Sequence, residues 1–138
     1  QYLAVNCYDN VLRVYNARDS VSNSQSQNPR LGLLYSLTGH KNKNYPIKSS
    51  FLQCNDVKLM KTFEVQDSEE GESGNNNDLF VLATGSADSN AFVYTVKRSS
   101  VTTQKLEGHS DRVFCVHFHP TNRLLATCSA DSTIKLWS

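Results

Sequence analysis

Several features that would narrow the function quickly are absent from this sequence of 138 residues. No apolar run approaches the roughly 18–20 residues that a membrane-spanning helix needs. No segment of helical length carries apolar residues at a 3.6-residue period. The glycines Gly71 and Gly74 are not followed by a helical segment, so they do not form a phosphate-binding loop. We therefore expect no membrane partner and no bound cofactor.

An excess of charge of either sign is also missing. The chain has 14 basic and 13 acidic residues, which gives a net charge of +1. Without a basic stripe, neither nucleic acid nor an anionic membrane is favoured as a direct partner. We expect the partners to be other proteins.

The four cysteines show no C-x-x-C spacing. Cys7, Cys54, Cys115 and Cys128 lie mostly in predicted strands. One register of the last hairpin would place Cys115 opposite Cys128, but we expect buried free thiols that behave as small hydrophobic side chains. This usage predicts an intracellular protein.

A repeated pattern is present instead. Gly39-His40 and Ser86-Ala87-Asp88 return as Gly108-His109 and Ser129-Ala130-Asp131, and the two aspartates lie 43 positions apart. The Gly-His pairs lie 69 positions apart, or 44 if the polar segment 54–78 is an insertion. A third, partial copy over 3–16 parallels 125–138. Both spacings match the period of about 40–45 residues that is typical of four-stranded propeller blades.

The local sequence predicts strands throughout. Residues 113–118 and 124–128 are rich in β-branched and aromatic side chains, and the turn residues Pro120 and Asn122 lie between them. A third strand at 133–137 follows a tight reversal. The fold class is therefore predicted to be all-β.

These residues resemble the WD-repeat family, most clearly over the last 38 residues. The resemblance implies part of a propeller, about two and a half four-stranded antiparallel blades. Because a propeller closes with about four to eight blades, we expect the chain to be the C-terminal part of a longer polypeptide whose remaining blades complete it. The predicted units are two strands of a partial blade at 1–18, a polar loop at 19–30, a blade at 31–98 with an acidic insertion at 54–78, and a final blade at 101–138.

The same resemblance implies a buried hydrogen-bonded network in each blade, built from a His, a turn Asp, a Ser or Thr and a Trp. Carried over by position, its members are His109, Asp131, Ser129 and Trp137 in one unit, and His40, Asp88, Ser86 and Tyr94 in the other. A buried His-Asp pair could instead belong to a hydrolase. Because the pair repeats and no nucleophile stands in a strained turn, we expect a structural role and no enzyme.

A metal site is the other chemical alternative. Cys115, His117 and His119 occupy alternate positions of one predicted strand, so they would share a face, and Cys128 could supply a fourth zinc ligand. The spacing is not that of structural zinc sites, and alternate positions also suit packing between blades. We expect no metal.

The predicted function is a non-catalytic scaffold or adaptor in a multiprotein complex, nuclear rather than cytoplasmic. Residues 38–51 resemble a blade of the propeller scaffolds in histone methyltransferase complexes, and also of substrate receptors of cullin-4 ubiquitin ligases. For the second group, Tyr15-Asn16-Ala17-Arg18 resembles a Trp-Asp-x-Arg signature, in which Arg18 would contact the adaptor. A splicing-complex propeller is a further alternative.

Polar loops at the predicted top face and rim supply the candidate partner contacts. Tyr45 and Arg112 should dominate such a surface, because aromatic and arginine side chains usually carry binding energy. The insertion 54–78 is either a solvated excursion or a docking arm. The full candidate set is Lys41, Asn42, Lys43, Asn44, Tyr45, Asp111, Arg112 and Arg18.

Overall fold

The computed structural model describes residues 2–16, 31–52, 80–97 and 100–138. Arg18, the polar loop 19–30 and the insertion 54–78 lie outside the described residues. The described part contains ten strands and no helix, which confirms the all-β prediction there. The strands are β1 (Tyr2–Asn6), β2 (Leu12–Asn16), β3 (Gly32–Leu37), β4 (Ser49–Phe51), β5 (Phe80–Gly85), β6 (Ala91–Val96), β7 (Val101–Leu106), β8 (Val113–Phe118), β9 (Leu125–Ser129) and β10 (Ile134–Trp137). Nothing in these ranges is a helix of the length and apolarity needed to cross a membrane.

The strands form three antiparallel sheets. The first sheet has the order β1-β2-β3, the second β4-β5-β6-β7 and the third β8-β9-β10. β3 pairs with β2, and β7 pairs with β6. The predicted units 31–98 and 101–138 begin with β3 and β7. Because β3 belongs to the first sheet and β7 to the second, each predicted unit is shifted by one strand relative to the sheets.

One turn recurs in all three sheets. Asn10, Ser89 and Ser132 have φ angles of 64°, 68° and 64°, in the left-handed region that few residues with a side chain adopt. Each follows an aspartate whose Oδ1 accepts a hydrogen bond from the backbone amide two residues on, at 3.2 Å for Val11, 3.4 Å for Asn90 and 2.9 Å for Thr133. This side-chain turn explains why the aspartate repeats in the sequence.

The core lies between the sheets. Leu12, Val14 and Leu82 belong to an apolar cluster between the first and second sheets, while Val116 and Leu125 belong to one between the second and third. The second sheet is covered on both faces, so every residue of β5 and β6 is buried. Burial on two faces requires continuous apolar strands rather than alternating ones.

The approach of the third sheet to the second requires glycine at Gly85. A Cβ atom built there would lie 2.1 Å from the carbonyl oxygen of Val113, much closer than the two atoms can approach. Gly85 stands three residues before the turn aspartate of its sheet, and the residue at the same place is Asn6 in the first sheet and Cys128 in the third. In each of the first two sheets, this position therefore faces the sheet that follows.

Candidate functional site

His109 stands in a chain of hydrogen bonds whose directions agree. Trp137 Nε1–H donates to Thr127 Oγ1 at 3.0 Å, and the Thr127 hydroxyl donates to His109 Nε2 at 2.7 Å. His109 Nδ1–H donates to Asp131 Oδ2, also at 2.7 Å. A neutral imidazole protonated at Nδ1 satisfies every link. The chain joins the segment before β8 to β9, β10 and the turn between them.

Asp131 is fixed from several directions. Its carboxylate accepts the Thr133 hydroxyl at 2.6 Å, the Ser110 amide at 3.0 Å and the Thr133 amide at 2.9 Å. The hydrogen bond from the Thr133 side chain is the largest cause that holds the pKa of this carboxyl below its usual value, and the Ser110 amide and His109 add to it. The side chains of His109 and Asp131 are only 1% and 8% exposed. The arrangement fixes the loop and leaves little of either group open to a substrate.

Thr127 holds the position between His109 and Trp137 that the resemblance assigned to Ser129. Ser129 Oγ instead donates to the carbonyl of Asp111 at 2.8 Å and accepts the amide of Asp131 at 3.1 Å. Sequence reasoning did not name Thr127. The signal was nevertheless present, because both copies contain a Leu-Ala-Thr triplet at this place, with Thr84 as the equivalent residue.

The histidine of the earlier repeat has different partners. His40 Nε2 lies 3.1 Å from Asn6 Oδ1 of the first sheet, and Nδ1 lies 3.3 Å from the Tyr94 hydroxyl. Asp88 caps its own turn, accepting the Asn90 amide. Burial lowers the pKa of His40 and raises that of Tyr94 to about 12, so both side chains are neutral near pH 7. Ser86 Oγ accepts the amide of Lys41 at 2.9 Å, outside the His40–Tyr94 contact.

Asn6 is the centre of this second network, which we call the Asn6 cluster: Asn6, His40, Asn42, Ser49 and Thr84. Asn6 Nδ2 donates to Thr84 Oγ1 at 2.8 Å, and Asn42 Nδ2 donates to Asn6 Oδ1 at 3.3 Å. The cluster therefore connects the first sheet to the second, whereas the His109 chain lies around one sheet. Asn42, predicted as a partner contact, is 1% exposed, and its Oδ1 has no partner among the described residues.

Tyr45 and Arg112, both predicted as partner contacts, contact each other. The Arg112 guanidinium carbon lies 4.5 Å from the Tyr45 ring centroid and 5.9 Å from that of Phe114, and Nη1 donates to the Tyr45 hydroxyl. Arg112 Nε also donates to Asp111 Oδ1 at 3.2 Å, and 35% of the arginine side chain stays exposed. The guanidinium is thus held in place at the surface between the second and third sheets.

The remaining loop candidates, Lys41, Lys43 and Asn44, are exposed. Lys41 and Lys43 border an open cavity of about 490 Å³ between residues 9–11 and the segment 38–43. The nearby carboxylate of Asp9 is paired with Arg13 at 2.6 Å, so the two lysines give this rim a positive charge.

The residues predicted as an alternative zinc site lie on and beside the last hairpin: Cys115 and His117 on β8, His119 directly after it, and Cys128 on β9. Within the described ranges, no three His, Cys, Asp or Glu side chains are grouped so as to hold a metal ion. Cys128 is exposed and Cys115 is half-buried, so the prediction of buried thiols is wrong for Cys128.

Known proteins resemble this chain over limited lengths. Residues 100–138 match the family described as "WD domain, G-beta repeat", which confirms the resemblance seen in the sequence. The chain is 31% identical over 85 residues to WD repeat-containing protein AAC3 of Dictyostelium discoideum, which covers 59% of this chain and 18% of that protein. It is 39% identical over 62 residues to pre-mRNA-processing factor 19 of Bos taurus, with 45% and 12% covered. It is 30% identical over 101 residues to the Denticleless protein homolog of Gallus gallus, with 72% and 11% covered. The chain therefore spans less than a fifth of the length of these relatives.

Proposed function

We propose that this chain, which carries a WD repeat at residues 100–138, is part of a non-catalytic propeller scaffold that binds other proteins in a multiprotein complex. The observation that carries the proposal is the His109 chain. Both ring nitrogens and both carboxylate oxygens of Asp131 are already occupied by neighbouring side chains and amides. Side chains held by several hydrogen bonds make the surrounding loops rigid, and a rigid surface loses little conformational entropy when a partner binds.

The surface proposed for the partner contains Lys41, Lys43, Asn44, Tyr45, Asp111 and Arg112. Its anchor is the stacked pair of Tyr45 and Arg112, because side chains that are held before binding lose little conformational freedom when a partner arrives. Asn42 is left out of the surface, since its side chain is buried. The exposed lysines beside the anchor favour a partner segment with acidic residues.

Three settings are proposed for the scaffold, all of them nuclear. The first is a chromatin-associated complex, as the resemblance of residues 38–51 implies. The second is pre-mRNA processing, which is favoured by the similarity to pre-mRNA-processing factor 19. The third is a cullin-4 ubiquitin ligase, with Arg18 as the adaptor contact. Loss of a co-purifying adaptor from Arg18→Ala would support the third setting, and unchanged co-purification would remove it.

Affinity purification of the intact protein, with chemical cross-linking and mass spectrometry, tests the scaffold. The proposal predicts that Arg112→Ala loses a stable set of co-purifying proteins. Arg123→Ala is the matched control, because Arg123 is exposed beyond the opposite end of β8. Equal recovery of partners by the two variants would contradict this surface.

The variant His109→Asn distinguishes the scaffold from the hydrolase alternative. A structural histidine predicts a lower melting temperature for this variant. Loss of a hydrolytic turnover with an unchanged melting temperature would instead support the His-Asp pair as a catalytic group.

A further inference from the structure

The sequence between β6 and β7 contains two serines directly after Lys97 and Arg98, the only two basic residues that are adjacent in the chain. The order Lys97-Arg98-Ser99-Ser100-Val101 puts a lysine three positions before Ser100 and an apolar residue directly after it. Protein kinases select substrates partly through complementary patterns of charge. Positive charge before the acceptor hydroxyl suits a serine kinase whose peptide groove carries acidic residues.

Ser100 is accessible at the start of an edge strand. Both Ser100 and Lys97 are exposed, and Val101 keeps 45% of its surface exposed. β7 is the last strand of the second sheet, where it pairs with β6, and its residues are exposed up to Leu106, which is half-buried. Few buried contacts hold this end of the hairpin, so its opening into a kinase groove costs little free energy.

Lys97 and Ser100 face each other across the two strands. The ladder of β6 and β7 pairs Val96 with Val101, and the Lys97 amide donates to the Ser100 carbonyl at 2.8 Å, which continues the ladder by one pair. Directly opposed side chains point to the same side of an antiparallel sheet. A phosphate on Ser100 would therefore lie beside the Lys97 ammonium group, and this charge pair favours the modified hairpin.

We propose that Ser100 is a phosphorylation site for a serine kinase that recognises basic residues before the acceptor. Ser100 Oγ attacks the γ-phosphorus of Mg²⁺-bound ATP. The bond from that phosphorus to the bridging oxygen breaks, and ADP leaves with the electron pair. The hydroxyl proton passes to the catalytic carboxylate of the kinase. The phosphate adds a charge of about −1.5 to −2 at this end of the sheet.

The site is separate from the surface proposed for the partner. β7 runs from Val101 to Leu106, and the segment that leads to Arg112 begins at its far end. Six residues of strand span about 20 Å. A phosphate on Ser100 would leave the stacked pair of Tyr45 and Arg112 uncovered, so this inference does not depend on the proposed function.

Phosphorylation in vitro tests the site. The intact folded protein is incubated with Mg²⁺, ATP and the catalytic subunit of cAMP-dependent protein kinase, which is directed by basic residues. Trypsin cleaves after Arg98 and Lys105 and releases the peptide 99–105, in which tandem mass spectrometry locates the phosphate. We expect the phosphate on Ser100. Ser110 is also exposed but should stay unmodified, because no lysine or arginine occupies the four positions before it.

Two lysine variants test the recognition. Lys97→Gln removes the charge three positions before the acceptor and should lower the initial rate of phosphate incorporation about tenfold, as expected for the loss of one charge-assisted contact. Lys105→Gln is the matched control, an equal loss of charge at the other end of β7, and should leave the rate unchanged. Ser100→Ala should abolish incorporation into the peptide 99–105. Circular dichroism checks that each variant is folded.

Three results would overturn the proposal. The first is a folded wild-type protein whose peptide 99–105 carries no phosphate. The second is phosphate that is found mainly on another residue of that peptide. The third is an equal rate of incorporation for Lys97→Gln and Lys105→Gln.

Discussion

Asn6 Oδ1 lies 3.1 Å from Nε2 of His40, so a side chain of the first sheet satisfies a buried histidine that precedes the second sheet. In the third sheet, the corresponding histidine, His109, is satisfied by Thr127 of β9. The two repeats share a Gly-His pair but use it differently. His109 forms hydrogen bonds around the third sheet alone, whereas His40 links the first sheet to the second.

Asn6→Ala is expected to lower the free energy of unfolding by about 1–3 kcal/mol, because His40, Asn42 and Thr84 would each lose a buried hydrogen-bond partner. Urea denaturation of the intact protein measures the change. Asn122→Ala, in an exposed turn, is the control and should change the free energy by no more than about 0.5 kcal/mol. A double-mutant cycle with Thr84→Val should show coupling; strictly additive effects would count against the cluster.

Thr127→Val should destabilise the protein by about 1–3 kcal/mol. The substitution keeps the shape but removes the hydroxyl that links His109 Nε2 to Trp137 Nε1, and so leaves two polar groups without this partner. Thermal unfolding followed by tryptophan fluorescence reports the change at Trp137. Thr102→Val, exposed on β7, provides the comparison. If the two threonine variants melted alike, the hydroxyl would have no stabilising role.

Stability is expected to fall with acid in two stages. Burial lowers the pKa of His40 in the folded state, so the unfolded chain binds a proton more readily below the ordinary value of 6.5. The contribution of His40 is therefore complete above about pH 6.5 and is lost as the pH falls. The pKa of Asp131 is lowered too, so its contribution is complete above its ordinary value of 3.8 and is lost below it.

Urea titrations between pH 7.5 and about 3 measure both stages. His40→Gln should flatten the first stage, and Asp131→Asn should reduce the second. His117→Gln, which replaces an exposed imidazole, should retain the first stage. A first stage that persists unchanged in His40→Gln would assign it to another group.

Gly85→Ala should destabilise the contact between the second and third sheets. The new methyl group would meet the Val113 carbonyl oxygen, which belongs to β8 and cannot rotate away. Overpacking of this kind costs about 1–3 kcal/mol. Cys128→Ala tests the equivalent position of the third sheet, where the side chain is exposed, and should be nearly neutral. Urea denaturation of both variants distinguishes a local steric effect from a general intolerance at this position.

Part of the candidate site could be found in the sequence. His109, Asp131 and Trp137 were predicted together, and the structure places all three around Thr127. The choice of Ser129 in place of Thr127 came from position alone, since both are hydroxyl residues on β9. Which hydroxyl reaches the imidazole depends on the register of β9 against the segment before β8.

Local physical chemistry allowed the sequence alone to determine the all-β class, the turns at Asp88 and Asp131 and the repeat. Strand alternation and turn geometry act over a few residues, so their pattern is visible in the chain. The tertiary structure decided that Asn6 would reach His40, that Asn42 would be buried and that Arg112 would stack on Tyr45. These contacts join residues that are far apart in sequence, and they exist because sheet packing and strand register bring those residues together.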